Sequence, residues 1–335
     1  MKRLQAFLIT FFILYALGAA PRAAAQLKLV QTIELERDVT GHFDHFGVDL
    51  KHDRLFATSA SKSVLVFNIK TGEPIHHIEG IGKPAAVLYR EDLNRIYVTD
   101  AEDGSLRIID GDSYRIMKSV KLLPDADSAG YDPATKYLYI DNGGKDAKLS
   151  YEMVSIVDTT TGEKVGDIKV DGDSLEAIVL ERGSPRMYVN NRAKNRVEII
   201  DRDKRKLIGS LPITLGKVNV PMAFDETNHR LFVGCRDGHL VVFDTASGKE
   251  LQALPITEGT DDLVFDPPSK RIYVASDGAA DVYEQTDPDH YKFLGKVTTG
   301  PVAKTGRLVP ELNRYFVAAP KHDDKQAEIL VFEVQ

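Results

Sequence analysis

A short phrase that recurs seven times constrains the fold of this 335-residue chain more than any other feature. Each copy has a basic residue, an apolar residue, an aromatic residue and then an apolar or small residue. The third and seventh copies shift the aromatic residue by one place or add a second one. The basic residues that open the copies are Arg54, Arg95, Lys136, Arg186, Arg230, Arg271 and Arg314. Their period of about 43 residues is typical of the blades of a β-propeller.

The residues around each copy repeat as well. A turn precedes the phrase, a second alternating run that often ends in Asp follows it, and a turn such as Thr161-Gly162 closes the unit. Alternating β-branched and aromatic runs between turn residues predict strands, and the chain has no helical apolar stripe. We therefore expect an all-β, seven-bladed β-propeller with four-stranded blades. The chain ends on the third strand of the last blade (Ile329 to Val334), so we expect Leu29 to Leu35 to supply the fourth and close the ring.

The copies Arg95-Ile96-Tyr97-Val98-Thr99-Asp100 and Arg186-Met187-Tyr188-Val189-Asn190-Asn191 resemble the YVTN repeat. The chain after its N-terminal segment resembles the YncE-like, YVTN-repeat propeller family over nearly its whole length. This resemblance implies an exported propeller, and most such proteins have no assigned reaction. Related seven-bladed rings include surface-layer proteins, lactonases and chains of quinoprotein amine dehydrogenases, so the fold by itself does not select a function.

Residues 1–25 have the features of a secretory signal peptide. Lys2 and Arg3 precede an apolar run, and Ala23-Ala24-Ala25 is a small-residue cleavage site. An uncleaved membrane anchor is the alternative reading. We expect cleavage after Ala25, a propeller domain over residues 26–335, no membrane span after cleavage, and a periplasmic or secreted location.

The charge balance and the cysteine content argue against a nucleic-acid-binding protein and against a disulfide-stabilised one. The chain has 43 Lys and Arg against 50 Asp and Glu, and loss of the signal peptide makes it three charges more negative. An acidic surface repels phosphate backbones and disfavours a nucleic-acid partner. Cys235, the one cysteine, excludes an intramolecular disulfide framework, and we expect it to be a buried, inert thiol in a monomeric protein.

The repeat also predicts where a site lies. In a propeller the segments between blades share one face with the loops between second and third strands, and here those segments break the repeat. We expect their polar side chains to form a funnel at the mouth of the central channel. The predicted ligand-binding residues are His42, Asp44, His45, Asp127, Asp173, Glu176, Asn219, Asp262 and Arg307. Carboxylates gathered in a narrow mouth favour a cation or a cationic ligand, whereas scattered turn acids are usually solvated.

Four of these residues are candidate metal ligands. His42, Asp44, Asp173 and Glu176 have the donor atoms that calcium or zinc binds, provided that the fold brings them together. The alternative is that the histidines are structural and the acids cap turns. We expect no required cofactor, and a divalent cation is the one cofactor that the residue types suggest.

A second candidate surface is the long interval between the second and third strands of blade 3. Lys145, Lys148 and Tyr151 lie in it, and Asn190 and Asn191 of blade 4 are its predicted neighbours. Their charges and amides suit a protein partner or a ligand, although surface insertions are often tolerated without a function.

The sequence thus favours a binding scaffold for an unknown protein or small molecule over an enzyme. No G-x-S-x-G, H-E-x-x-H or P-loop motif occurs. Two alternatives stay open. One is a metal-assisted, lactonase-like hydrolase with its site in the funnel, and the other is a partner chain, without its own cofactor, in a periplasmic quinoprotein or other redox system.

Overall fold

The computed structural model describes residues 26–335, which form 28 β-strands and three one-turn 3-10 helices. The strands pair into seven antiparallel sheets of four strands each, arranged as the blades of a propeller. The predicted all-β, seven-bladed fold is therefore confirmed. The predicted signal peptide, residues 1–25, lies outside the described residues. Among residues 26–335, no helix is long and apolar enough to cross a bilayer.

Each blade runs from the central channel outward in chain order, except that the last blade takes its outer strand from the N-terminus. Blade 1 consists of β2 (Phe43–Asp49), β3 (Arg54–Ser59), β4 (Ser63–Asn68) and β5 (Pro74–Ile78), and blade 2 of β6 (Pro84–Arg90), β7 (Arg95–Asp100), β8 (Ser105–Asp110) and β9 (Ile116–Lys121). Blade 3 consists of β10 (Ala129–Asp132), β11 (Tyr137–Gly143), β12 (Tyr151–Asp158) and β13 (Glu163–Asp171), and blade 4 of β14 (Leu175–Leu180), β15 (Arg186–Asn191), β16 (Arg196–Asp201) and β17 (Lys206–Pro212). Blade 5 consists of β18 (Asn219–Asp225), β19 (Arg230–Cys235), β20 (His239–Asp244) and β21 (Lys249–Pro255), and blade 6 of β22 (Asp262–Asp266), β23 (Arg271–Ser276), β24 (Gly278–Asp287) and β25 (His290–Gly300). Blade 7 consists of β26 (Thr305–Val309), β27 (Arg314–Ala319), β28 (Glu328–Val334) and β1 (Leu27–Glu34).

The recurring phrase forms the second strand of every blade, and its central residue fills the space between neighbouring blades. Tyr188 of blade 4, for example, packs in one apolar cluster with Leu231 and Val233 of blade 5. The residues at this repeat position, each no more than 2% exposed, are Phe56, Tyr97, Leu138, Tyr188, Phe232, Tyr273 and Phe316. Burial of these large side chains against the next blade is what holds separate sheets in a ring.

The Thr-Gly turns have a local cause. In blade 3 the Asp158 carboxylate accepts a hydrogen bond from the backbone N–H of Thr160 (2.8 Å), and Gly162 N–H donates to Asp158 O (2.7 Å). Gly162 has φ +70°, a conformation that favours glycine. The side-chain cap and the glycine together end β12 and start β13.

The two ends of the described chain close the ring. β1 pairs antiparallel with β28, with Leu27 opposite Val334 and Ile33 opposite Ile329. The predicted closing strand is confirmed, and it begins two residues earlier than the sequence pattern indicated. Pairing of the ends covers the edge of β28, which would otherwise be left unpaired.

On the face opposite the irregular loops, polar side chains join neighbouring blades. Arg90 of blade 2 donates from Nη1 to Thr159 Oγ1 of blade 3 (2.7 Å), and Gln285 of blade 6 donates from Nε2 to Asp225 Oδ2 of blade 5 (3.0 Å). These contacts tie neighbouring blades together on this face.

Candidate functional site at the mouth of the channel

The irregular face opens into a cavity of about 370 Å³ at the mouth of the central channel. Its walls come from the segments that lead into the inner strands and from the ends of second strands. The cavity, called the mouth below, is lined by His42, Phe43, Asp44, His45, Lys83, Asp125, Asp127, Ser128, Asp146, Ser174, Leu175, Glu176, Ala177, Arg192, Val220, Arg236, Asp261 and Lys304. Residues from all seven blades or their leading segments therefore meet in one space.

A bulge near the start of the inner strand directs residues into the channel. The pairing register of β2 with β3 shifts between Phe43 and Phe46, and β6, β14 and β18 show the same shift at the same place. The second strand satisfies backbone groups that the bulge leaves unpaired. Asp44 N–H donates to Thr58 Oγ1 (3.2 Å), and Thr58 Oγ1 donates to His45 O (3.1 Å). The bulge is thus built into the repeat, and bulges of this kind re-aim side chains beside binding sites.

His45 borders both the mouth and a second cavity deeper in the channel, at the junction called the neck below. It lies there between two carboxylates. Its Nδ1 is 3.0 Å from Asp262 Oδ1, and its Nε2 is 3.4 Å from Asp44 Oδ1. Asp262 is fixed in turn, because its Oδ2 accepts a hydrogen bond from Gly306 N–H (2.9 Å). Burial by itself lowers the pKa of His45, but the charges of Asp262 and Asp44 more than offset it and raise that pKa well above its usual value. The two carboxylates thus favour the protonated form of His45, which pairs with both of them.

The wall from blades 1 to 3 is acidic. Asp127 lies in the mouth with Asp44 and Asp125, and Lys83 Nζ is 3.9 Å from Asp125 Oδ1. Burial, followed by the charge of Asp44, raises the pKa of Asp127 to about 7. Among residues 26–335, the buried Oδ1 of Asp127 has no hydrogen-bond partner. A carboxylate oxygen in this state is stabilised by a donor brought in from outside.

The wall from blades 4 to 7 supplies the cations. Arg192 Nη1 donates to Glu176 Oε1 (2.9 Å), Arg236 pairs with Asp261, and Lys304 Nζ is 3.0 Å from Asp261 Oδ2. Burial alone raises the pKa of Asp261, but Arg236 and Lys304 outweigh it and hold that pKa below its usual value. Asp261 carries one negative charge against two positive ones. The mouth is therefore polarised, acidic on one side and basic on the other.

A second layer of acid lies behind Asp127. Asp141 of β11 is 1% exposed, and neither of its carboxylate oxygens has a partner among the described residues. Glu152 of β12 is equally buried, and its Oε1 accepts a hydrogen bond from Leu175 N–H (2.8 Å). Burial and mutual repulsion raise the pKa of Asp141 well above its usual value, and burial raises the pKa of Glu152 to about 8. Glu152 is thus largely protonated at neutral pH, and burial favours the neutral form of Asp141 as well.

The structure brings some of the predicted ligand residues together and separates others. His42, Asp44, His45, Asp127 and Glu176 line the mouth. Two more of the predicted residues lie deeper: Asp262 and Arg307 line a second cavity of about 260 Å³ in the channel, and Arg307 also borders the opening on the opposite face.

The other two predicted ligand residues have different surroundings. Asp173 does not line the mouth, and its Oδ1 is 4.0 Å from Lys145 Nζ. Asn219 is fully buried between blades, where its Nδ2 donates to Asn190 Oδ1 (2.7 Å). Asn219 therefore makes a contact between blades, whereas the Asp173 side chain is partly exposed beside Lys145.

The four candidate metal ligands divide in the same way. His42, Asp44 and Glu176 line the mouth, and Asp173 does not. Within residues 26–335, no group of three or more His, Cys, Asp or Glu side chains has an arrangement that could hold a metal ion.

The predicted partner surface is also split. Lys145 and Lys148 are exposed on the loop after β11, and Tyr151 stacks against Lys169, whose Nζ is 3.6 Å from the ring centroid. Asn190 and Asn191 are buried, and their amides bind inside the protein. Asn190 Nδ2 donates to Val220 O (2.8 Å), and Asn191 Nδ2 donates to Glu198 Oε1 (2.7 Å). Their placement does not fit a surface that a partner touches.

Sequence reasoning missed Arg192 and Arg236. Both stand six residues after the basic residue that opens their repeat, at the point where the second strand ends. The same position holds Ala60 in blade 1 and Ala101 in blade 2, and its backbone N–H makes the same bond to the preceding inter-blade segment in blades 1, 2 and 5. Aligning the repeats at this one position would have identified the two arginines as side chains of the mouth.

Beside the mouth, a larger cavity of about 750 Å³ lies over blades 1 to 3. It shares His42, Phe43, Asp44, Lys83 and Asp146 with the mouth, so the two spaces are continuous. This cavity, called the annex below, has an apolar wall made of Phe43, Ala60, Gly82, Pro84, Ala101 and Pro124.

Fold and site together define a seven-bladed propeller with a polarised polar cavity at one end of its channel. In structure, the chain is similar to a chain of Kuenenia stuttgartiensis hydrazine synthase, with a TM-score of 0.72 and 15% sequence identity. The match covers 86% of this chain and 94% of the other. At that identity the similarity concerns the fold. No family model and no curated protein matches the chain by sequence.

Proposed function

We propose that this protein is an exported binding propeller whose mouth takes a small dipolar solute, with an ammonium group at one end and an anionic group at the other. The family relationship that its repeats indicate, to the YVTN-repeat propellers, is part of the same proposal. The observation that carries it is the buried Oδ1 of Asp127, which has no partner among the described residues and lies in the same cavity as the cationic side chains Arg192, Arg236 and Lys304 of the opposite wall.

The two walls support opposite ends of such a ligand. An ammonium group has the donors that Asp127 lacks, and Asp44 adds negative charge on the same side. On the other side Arg192, Arg236 and Lys304 present guanidinium and ammonium groups, and guanidinium groups bind carboxylates with two hydrogen bonds. A purely anionic ligand would meet the acidic wall, and a purely cationic one would leave the basic wall unused.

Isothermal titration calorimetry with graded probes tests the proposal. The probes are ω-amino acids from glycine to 6-aminohexanoate, with hexylamine and hexanoate as single-charge controls, titrated into residues 26–335 at pH 8. We expect one of the amino acids to bind tighter than either control. Asp127→Asn should weaken that amino acid about ten-fold or more, because a charge-assisted hydrogen bond is lost. Asp112→Asn, an exposed change on the opposite face, should not weaken it. Absence of binding by every probe would overturn the proposal.

The pH dependence gives a second readout of the same contact. Since the pKa of Asp127 is about 7 and an alkyl ammonium group stays protonated to about pH 10, affinity should rise between pH 6 and pH 8. Binding should also release protons near pH 7, which titrations in two buffers of different ionisation enthalpy measure. An affinity that is flat over this range would show that Asp127 does not meet the ammonium group.

Two other hypotheses keep their own tests. The fold similarity to a chain of hydrazine synthase favours, as a second candidate, a role as partner chain in a redox system, and capture of a cofactor-bearing protein by the purified chain would support it. A metal-assisted hydrolase predicts about one equivalent of calcium or zinc in the purified protein, lost in His42→Ala.

A further inference from the structure

The annex differs from the mouth in the chemistry of its wall. Pro84, Pro124 and Phe43 line it, together with two alanines at the repeat position that carries arginine in blades 4 and 5. The cavity exists because that position is small in blades 1 and 2. A long side chain there would fill the space, as Arg192 and Arg236 do on the other side of the ring.

We infer that the annex is a second subsite, which receives an aromatic or branched aliphatic group attached to the ammonium end of the ligand. This inference rests on the proposed function. It adds the class of ligand, which is a dipolar solute that carries an apolar substituent at its ammonium end, rather than an unsubstituted ω-amino acid.

The location, the volume and the lining of the annex support the assignment. It adjoins the acidic wall, where the ammonium group is expected, because Asp44 and Asp146 border both spaces. Its volume of about 750 Å³ lies within the range of pockets that hold small organic ligands. Its rim has charged groups, Glu102 and Lys145, while its wall is apolar, which is the usual arrangement of such a pocket.

The test compares 2-phenylethylamine with ethylamine by calorimetry at pH 8. The two probes share the ammonium group and differ in the ring. We expect 2-phenylethylamine to bind about ten-fold tighter or more, because its ring leaves water for an apolar wall. Equal affinities would overturn the inference and leave the proposed function standing. Failure of both amines and of every amino acid probe would overturn the proposed function itself.

A matched pair of variants locates the ring. Ala60 is exposed and lies in the annex wall, so Ala60→Leu fills part of the annex without entering the core. It should remove most of the advantage of the ring and change ethylamine affinity less than about two-fold. Ala134→Leu, in an exposed turn on the opposite face, should change neither. Thermal melting verifies that both variants fold. Unchanged 2-phenylethylamine affinity in Ala60→Leu, or an equal loss for both amines, would overturn the assignment.

Discussion

His45 and Asp262 are 217 residues apart in the chain, yet His45 Nδ1 lies 3.0 Å from Asp262 Oδ1 at the neck of the channel. The contact joins the first blade to the sixth across the centre of the ring. Because the two residues meet only when the ring is closed, the protonation of His45 is linked to the free energy of unfolding.

This pair predicts a pH-dependent contribution to stability. Since the folded-state pKa of His45 is raised, the contribution is complete below about pH 6.5 and is lost as the pH rises through the folded-state pKa. Asp262→Asn should lower the pKa of His45, measured by NMR titration. It should also reduce the free energy of unfolding at pH 6 by about 1 to 2 kcal/mol, with a smaller effect at high pH. An unchanged His45 titration would contradict the account.

The buried pair Asp141 and Glu152 also predicts a loss of stability with rising pH, but one that begins at lower pH. Carboxyl groups with raised folded-state pKa values reduce stability as the pH rises from about 4, where they ionise in the unfolded chain, to about 8, the pKa of Glu152. Glu152→Gln keeps an oxygen that can accept the bond from Leu175 N–H. Urea unfolding should show this variant more stable than the parent by at least about 1 kcal/mol at pH 8.5, with a smaller difference at pH 5. Asp112→Asn, with an exposed side chain, serves as the control, and a gain that does not vary with pH would argue against buried ionisation.

Ring closure by β1 predicts a contrast between two residues of that strand. Ile33 is 8% exposed and packs in the cluster between blades 7 and 1, whereas Val30 is 43% exposed. Ile33→Ala should reduce the free energy of unfolding by about 2 to 4 kcal/mol, because a buried side chain leaves a cavity. Val30→Ala should cost less than about 1 kcal/mol in the same urea experiment. Equal costs would mean that β1 does not close the ring by packing.

The thiol of Cys235 should report unfolding. It is fully buried in β19, and burial raises its pKa to about 12, so the reactive thiolate is scarce in the folded protein. Reaction with a disulfide reagent at pH 8 should be slow in buffer and rapid in urea above the unfolding midpoint. A second thiol introduced at exposed Ala246 (Ala246→Cys) should react at once. Fast reaction of the parent protein in buffer would contradict the burial of Cys235.

The fold was predictable because every blade contains the same strand phrase, whose central side chain must be buried against the next blade. The phrase opened by Arg95 appears seven times, and a strand that buries Tyr97 against the next blade needs that next blade. The closing strand was predictable from the number of strands per repeat, since the last repeat has three strands and the others have four. Strand ends were less certain, and β1 begins at Leu27 rather than Leu29.

The position of the cavities was predictable, and the residues that line them only in part. The irregular inter-blade segments do border the two cavities, and that these cavities bind a ligand stays a prediction. Side-chain direction was not predictable, because the register shift at the start of the inner strand decides which residue faces the channel. Asn219 was therefore assigned to a funnel although its side chain lies between blades.

A crystal structure of residues 26–335 with the tightest ω-amino acid probe would show whether the ligand spans the two walls of the mouth. We expect the ammonium nitrogen within about 3.2 Å of Asp127 Oδ1, with the carboxylate directed to Arg192 and Arg236. A probe bound outside the mouth, or one whose carboxylate lies against Asp127, would contradict this expectation.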